Sequence, residues 1–560
     1  MTFPTRLLIV AALALSTAAA AQDACLGGSA RLADARDLGL LREAVEAACP
    51  CAVHDGGAGA NRRAYRRCAA AVRDAALVDG RLRPACFAHA TRDYRESTCG
   101  TDRVACGRVA SSSRRPVSCR IRPAARCVDR SRFSERVCGG ETHCADVIAE
   151  TAGTCQRQPV DAYAPGWSTI HADAANTDYS PVTGAADLTL AWQRNMGGSI
   201  NVGATIDPDG RVYVTTSATT GCHLHALDGT TGATVWCSDL VDRLAVVSSP
   251  LLDADGRIFI ADGTAMRAFD RDGGLLWETP IVGVPLSAQF TAGGRLLFIT
   301  HIGRVYVLRR ETGTALLPPL ELIPGATFDP ADGLLACARG TADCPSANTL
   351  AIDRPSGRFY FTFWAPGAPQ ASVRAMRFSE DPLPALTALW SNDSLPGGSA
   401  SSPVLTADGA RVYVNDNVDS VHALDAGSGA IVWTFPIGFA SGGSPSLSPA
   451  GYFMPAGGGA SPLLALRDDG GAAALVWRRE ALLNRGIATQ AAGDKLYATV
   501  GIGGLLNDLV VIDAATGAEL DREPLPGSTI FTVGTTVGPD GTVYVPSILG
   551  QLFAFRPATP

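Results

Sequence analysis

The chain has 560 residues and a formal net charge of −7 at pH 7. That length exceeds one ordinary domain and supplies ample material for a large core. An acidic balance without a dense basic run argues against nucleic acid as a partner.

Residues 1–21 read as a secretory signal peptide. Arg6 gives the positive start, Leu7 to Leu15 an apolar run, and Ala19-Ala20-Ala21 small residues for cleavage before Gln22. The run is shorter than the about 20 apolar residues a bilayer span needs, and no later stretch qualifies. Gln22-Asp23-Ala24 ahead of Cys25 does not form a lipoprotein cleavage box. The expectation is a soluble exported protein, periplasmic or extracellular, with room for association at the cell surface. Export makes disulfides the expected state of the sixteen cysteines. Cys49-Pro50-Cys51 and Cys51-Ala52-Val53-His54 are too sparse to define a zinc site.

Twelve cysteines fall between Cys25 and Cys155, so residues 22–157 are predicted to form a cysteine-rich, disulfide-stapled module with some helix. Asp37 is placed as the cap of a first helix presenting Leu38, Leu41, Val45 and Ala48 on one face. A second helix is expected from Asn61 to Ala76 and a third after Pro84, through Phe87 to Tyr94. Beyond Cys99, cysteines recur every 6 to 13 residues between short Val/Ile/Arg stretches, which suggests small hairpins. Spacing does not define their pairing. The module carries 23 Arg against 16 Asp/Glu, a net of +7, whereas residues 158–560 carry a net of −15. A solvated surface accounts for this; the sharper reading is contact with an anionic polysaccharide or lipid headgroup. Residues 158–166 read as a linker.

From Trp167 the chain becomes a repeat. One element is an Asp-Gly turn feeding an alternating strand, as in Asp209-Gly210-Arg211-Val212-Tyr213-Val214, Asp255-Gly256, Asp408-Gly409 and Asp540-Gly541. Weaker copies near Gly294, Gly357, Gly451 and Asp494 bring the number to eight. The second element is Ala-x-Asp-x-x-Thr-Gly-x-x-x-Trp, best seen at Ala226, Asp228, Thr231, Gly232 and Trp236. Aligned on its closing position, the series runs 192, 236, 277, 317, 390, 433, 477, 521, with Trp192, Trp236, Trp277, Trp390, Trp433 and Trp477 as candidate blade-docking residues. Each unit of about 40–45 residues reads as one four-stranded blade. The last unit lacks its outer strand, and the stretch from Leu190 to Gln193 is placed to supply it, closing the ring. The fold class is thus all-β: residues 167–560 form an eight-bladed β-propeller closed by an N-terminal outer strand.

These repeats, with His171-Ala172-Asp173-Ala174-Ala175-Asn176-Thr177-Asp178-Tyr179-Ser180-Pro181 ahead of them, resemble the pyrroloquinoline-quinone-type repeat family of quinoprotein-like propellers. The resemblance covers residues 165–556 or so. It implies one of two branches: dehydrogenases of alcohols or sugars that use the quinone and calcium, or non-catalytic propellers, including a scaffold of outer-membrane protein assembly. The dehydrogenase branch implies an adjacent cysteine pair clamping the quinone, carboxylates on calcium, a stacking Trp and a catalytic Asp. This chain has no Cys-Cys pair, and only Trp167 and Trp364 stand outside the docking series. The reading therefore leans away from an enzyme, with no catalytic, cofactor-binding or metal residues assigned and no cofactor expected. Pyrroloquinoline quinone with calcium is the alternative, in a divergent dehydrogenase that has lost its clamp.

Asp207-Pro208-Asp209-Gly210 and Asp253-Ala254-Asp255-Gly256 lack the remaining calcium-loop ligands and read as hairpin turns. His223 and His225 alternate on one strand, but no partner carboxylate is placed for a metal. Ser249, Ser402 and Ser444, each before a Pro, are placed ahead of the second strands, and none has a recognisable His-Asp partner. Cys222 and Cys237 flank one hairpin closely enough for a cross-strand disulfide, and Cys337 with Cys344 would close a small loop in the long insertion. That insertion, from Leu320 to Asn348, is the expected interaction face. The expected function is a secreted binding or scaffold protein whose partner is a protein or an envelope component. The sequence sets neither the partner nor an oligomeric state.

Overall fold

The computed structural model describes residues 24–26, 30–54, 61–109, 116–127, 134–137, 143–144, 162–329, 344–346, 348–380, 384–458, 461–503, 506–528 and 532–558. The chain divides into two compact units: residues 1–105 with 120–123 and 142–145, and the remainder. The signal segment and Cys337 lie outside the described residues. No described helix is long and apolar enough to cross a membrane.

The first unit is built on α1 (Arg31–Ala48), α2 (Arg62–Val78) and α3 (Phe87–Arg95). Leu38, Leu41 and Val45 of α1 pack with Tyr65, Ala69, Ala76, Ala90 and Tyr94. Asp37 does not cap α1, which begins six residues earlier. The first turn is held instead by Asp34, whose carboxylate accepts the Leu26 N–H at 2.9 Å and pairs with Arg83 at 2.6 Å. The N-cap of α2 is Asn61, accepting from the N–H groups of Arg63 and Ala64. Disulfides Cys25–Cys86, Cys49–Cys68 and Cys51–Cys99 staple these helices. A three-stranded sheet follows in sequence, with Val104–Val109 between Pro116–Arg122 and Ser134–Val137, and Cys106 is bonded to Cys127.

The second unit contains, among the described residues, eight four-stranded antiparallel units, here blades 1 to 8. They span 205–238, 251–280, 289–321, 351–392, 404–436, 446–484, 489–525, and 536–557 with 188–195. Blades 6 and 7 also join along Ala473–Asn484 and Lys495–Gly501. Leu188–Asn195 pairs antiparallel with Gln551–Pro557, so the start of the propeller supplies the outer strand of its last blade. A sheet that ends on itself leaves no ring edge to recruit another chain.

Successive blades are tied by a repeated contact. The indole N–H groups of Trp192, Trp236, Trp277, Trp390 and Trp477 donate to the carbonyls of Gly229, Arg271, Arg310, Ala426 and Ala514 at 2.8–3.1 Å. Each acceptor sits one residue after the first position of the third-to-fourth-strand turn in the next blade. The ring of each Trp lies against a glycine of that turn: Gly232, Gly273, Gly313, Gly429 and Gly517. At Gly517, φ is +70°, and an added Cβ would stand 2.6 Å from the Trp477 ring. The Thr-Gly of one unit and the Trp of the unit before it are therefore two halves of one interface.

Three junctions depart from this pattern. The outer strand of blade 3 is the short Leu320–Glu321, Leu317 lies outside it, and Arg295 reaches Glu380 of blade 4 at 3.2 Å. Trp433 is buried, but the next turn carries Asp468-Asp469-Gly470 and gives its indole nitrogen no acceptor among the described residues. There the Tyr413 hydroxyl donates to Asp468 at 2.7 Å, and Arg478 to the Ile437 carbonyl at 2.9 Å. Asp521 stands where the other blades have Trp, and it accepts the Leu188 N–H at 2.8 Å.

Trp390→Phe should cost about 1 kcal/mol through the lost hydrogen bond, whereas Trp433→Phe should cost less because no bond is broken. Gly517→Ala should cost about 2–4 kcal/mol from strain and overpacking. Urea unfolding of the full chain with its disulfides intact checks all three; equal losses at Trp390 and Trp433 would contradict the assigned contact.

Candidate functional site

The centre of the propeller is occupied by the chain's own lead-in segment, residues 162–178. The N–H groups of Ile206, Leu252, Ile352, Leu405, Leu447 and Gln490 donate to carbonyls of Trp167, Ser168, Ala174, Ala175, Thr177 and Asp178 at 2.7–3.0 Å. The Phe290 N–H donates to the Tyr163 hydroxyl at 2.9 Å. These donors come from the inner strands of blades 1, 2, 4, 5, 6, 7 and 3 respectively. The segment then runs as Tyr179–Thr183, parallel to the inner strand Thr489–Ala492, before becoming the outer strand of blade 8.

Its sequence produces the bends this path requires. Asp173 accepts the N–H groups of Ala175 and Thr177 and the Thr177 hydroxyl, which folds the segment back. Asn176 and Asp178 have φ of +60° and +47°, values these residue types tolerate best after glycine. The buried Asn176 amide donates to the carbonyls of Thr349 and Pro403 and accepts from Gln289 at 3.1 Å, joining blades 3, 4 and 5.

Beside it, His171 Nδ1 lies 2.8 Å from Asp178 and Nε2 lies 3.2 Å from the Ser402 hydroxyl. Ser402 thus has the His-Asp partner that sequence reading denied it, because 231 residues separate it from His171. The order matches a nucleophile, base and orienting acid. Its setting does not: Ser402 is fully buried, and its oxygen also accepts the Thr349 N–H at 3.2 Å. The arrangement fastens the lead-in segment to blade 5. Burial pushes the Asp178 carboxyl up, with His171 pulling it the other way. Ser249, Ser402 and Ser444 all precede first strands, not second ones, because the Asp-Gly turns follow the innermost strand.

At the loop ends, the insertion begins over blades 2 and 3. Phe328 packs edge-on against His301, with ring centroids 4.4 Å apart, and touches Gly263. His301 Nδ1 accepts the Val284 N–H at 3.0 Å, and Ser346 returns to the His301 carbonyl. Residues 330–343 of the insertion lie outside the described residues.

Cys222 and Cys237 are joined, with Cα atoms 5.7 Å apart. Cys237 faces His225 across the strands, and Cys222 reaches it from the preceding loop. Cys344 is buried and disulfide-bonded. His223 and His225 both turn to Thr216. Asp207 and Asp253 accept N–H groups of their own turns, as hairpin aspartates do; Asp253 pairs with Arg257 of its own hairpin at 3.0 Å, and Asp207 with Arg271 of blade 2 at 2.9 Å. Trp167 is buried in the core of blades 1 and 8, and Trp364 donates to Ala368.

Sequence reading missed the polar residue two places after the docking Trp. Arg194, Thr279, Asn392 and Arg479 each donate to the carbonyl of the docking glycine, at 2.6–2.7 Å for the last three. Their fixed offset was the available signal, hidden by their differing chemistry.

The single cluster of three His, Cys, Asp or Glu ligand atoms among the described residues is Cys25, Asp34 and Cys86. Two of those form a disulfide and the third pairs with Arg83. Among the described residues, no group of three His, Cys, Asp or Glu ligand atoms lies in the propeller.

The fold and its repeats define a β-propeller of the pyrroloquinoline-quinone-repeat class. The family model described as outer membrane protein assembly factor BamB matches residues 181–317 and 387–532, and the chain belongs to this family. Protein Rv3035 of Mycobacterium tuberculosis (strain ATCC 25618 / H37Rv) is 32% identical over 404 residues, 70% of this chain and 96% of its own length. The quinohemoprotein alcohol dehydrogenase of Comamonas testosteroni matches 70% of this chain and 80% of its own, with a TM-score of 0.51 at 18% identity. The quinohemoprotein alcohol dehydrogenase ADHIIG of Pseudomonas putida HK5 matches 70% of this chain and 81% of its own, with a TM-score of 0.50 at 15% identity. Those two structures share the fold alone.

Asn176→Ala should cost about 2–4 kcal/mol, because it strands buried partners in three blades; denaturant titration measures this. Burial pushes His301 down to about 4, from an ordinary value near 6.5. Between those values the unfolded chain binds a proton that the folded chain refuses, so stability falls as pH drops from 6.5 toward 4. The loss should reach about 2–3 kcal/mol at the acid end, and His301→Gln should flatten that part of the profile. Unfolding midpoints at pH 7 and pH 4.5 for both proteins give the comparison.

Proposed function

We propose that this chain is an exported, non-catalytic binding or scaffold protein that uses its propeller as an interaction platform. Its layout is a signal peptide over 1–21, a disulfide-stapled module over 22–157, and the propeller; the sequence-expected linker over 158–166 is cut short, because from Ala162 on the chain is already bonded to blades 2 and 3 as part of the lead-in segment. The observation that carries the reading is the lead-in segment bonded to seven inner strands, so that the ring's centre is spent on holding the ring together. Binding then falls to the loop faces, the insertion from Leu320 to Asn348 foremost, with a protein or envelope component as partner. The family description, an assembly factor, supports a role in protein interaction. The disulfides support passage through an oxidising compartment, periplasmic or extracellular.

The test is titration calorimetry of the oxidised full chain with pyrroloquinoline quinone and calcium, followed by dye reduction with alcohols and sugars. The expected result is no saturable heat and no dye reduction. Tight binding with turnover would make the protein a dehydrogenase and overturn the proposal.

A further inference from the structure

The helical unit carries an arginine surface that the propeller reading does not use. Arg62, Arg63, Arg66 and Arg67 occupy the first turns of α2, and Arg95 and Arg103 lie beside them. Arg62 and Arg66 both donate to the Arg95 carbonyl, at 2.9 and 3.3 Å. That contact places two guanidinium groups on the C-terminal end of α3, where cations are favoured. It accounts for those two residues only. The side chains of Arg63, Arg67, Arg95 and Arg103 are exposed and make no hydrogen bond or ion pair among the described residues. Glu96 and Asp102, which adjoin Arg95 and Arg103 in sequence, are exposed and pair with none of the six. Burial and the neighbouring Arg66 and Arg103 push Arg62 down.

The surface is rigidly built. Cys51–Cys99 and Cys49–Cys68 bracket it. A Cβ on Gly100 would stand 2.3 Å from the Arg62 backbone nitrogen, so the 97–101 turn is seated directly on the start of α2. Tyr65 and Tyr94 are buried beneath it, so the helices present guanidinium groups here and keep their tyrosine rings from sugar stacking. Arginine forks match phosphate oxygens, and four to eight basic residues on an amphipathic helix are the pattern that binds anionic lipid.

We propose that this surface docks the protein peripherally on an anionic phospholipid bilayer, through Arg63, Arg67, Arg95 and Arg103 with Arg62 and Arg66 behind them. The proposal is independent of what the propeller binds.

The experiment is flotation of the oxidised full chain with phosphatidylcholine vesicles and with vesicles in which phosphatidylglycerol replaces part of the phosphatidylcholine. The chain should float with the anionic vesicles alone, and added salt should release it. Arg63→Gln with Arg67→Gln should lower the partition coefficient about fivefold per residue. Neither side chain holds the fold, and an unchanged circular dichroism spectrum confirms that. Failure to float, equal flotation with both vesicles, or unchanged flotation of the double variant would each overturn the proposal. Binding to a sulfated polysaccharide column without flotation would also overturn it, and would assign the surface to a polysaccharide.

Discussion

An indole laid on a glycine, donating to the carbonyl of the neighbouring turn, is the contact on which the propeller depends. A single blade has two sheet faces and cannot bury either one alone. The contact sets the distance and tilt at which the next blade covers it. It needs a ring with a donor on one side and a residue without a side chain on the other, which explains why Trp and Gly recur about 40 residues apart. A second donor, two residues beyond the Trp, binds the same glycine's carbonyl in four places. The turn that receives both is itself fixed by its aspartate: Asp228, Asp425 and Asp513 each accept an N–H and a hydroxyl from the Thr or Ser three residues on. These bonds hold all three carboxyls below their ordinary range.

A ring of eight junctions, five of them built on this contact, could still open at one seam. The lead-in segment prevents that in two ways. It gives blade 8 its outer strand, and on the way it bonds to the inner strands of the other seven blades. The buried polar set of Asn176, His171, Asp178 and Ser402 costs desolvation, which paired hydrogen bonds offset. Such a set is specific where apolar packing is permissive, because only one threading of the segment satisfies every member.

The repeat, the closing strand and the docking tryptophans were legible because periodic patterns are local and repeated. The start of α1 was not. Asp37 looks like a cap from its neighbours, whereas the true first turn is held by an Arg83 that lies 49 residues away. The partner of Ser402 is illegible for the same reason: His171 is remote in sequence, and no local motif joins them. Trp433 shows the converse failure. Its own surroundings match the repeat, but its acceptor belongs to the next unit, where Asp468-Asp469-Gly470 has replaced the standard turn.

The departures from the repeat carry more functional meaning than the repeat itself. Where all units agree, selection for ring geometry suffices as the cause. At blade 3 the outer strand shrinks to two residues, the docking Trp is absent, and an ion pair from Arg295 to Glu380 takes over the junction. The insertion leaves from this weakened blade and lays Phe328 over His301 and Gly263, so the loop face there is shaped by residues that the repeat does not require. Giving up a standard contact at the root of the longest loop makes sense if that loop contributes something the ring does not. With the lead-in segment bonded to the inner strands, the surface particular to this chain lies on the loop face.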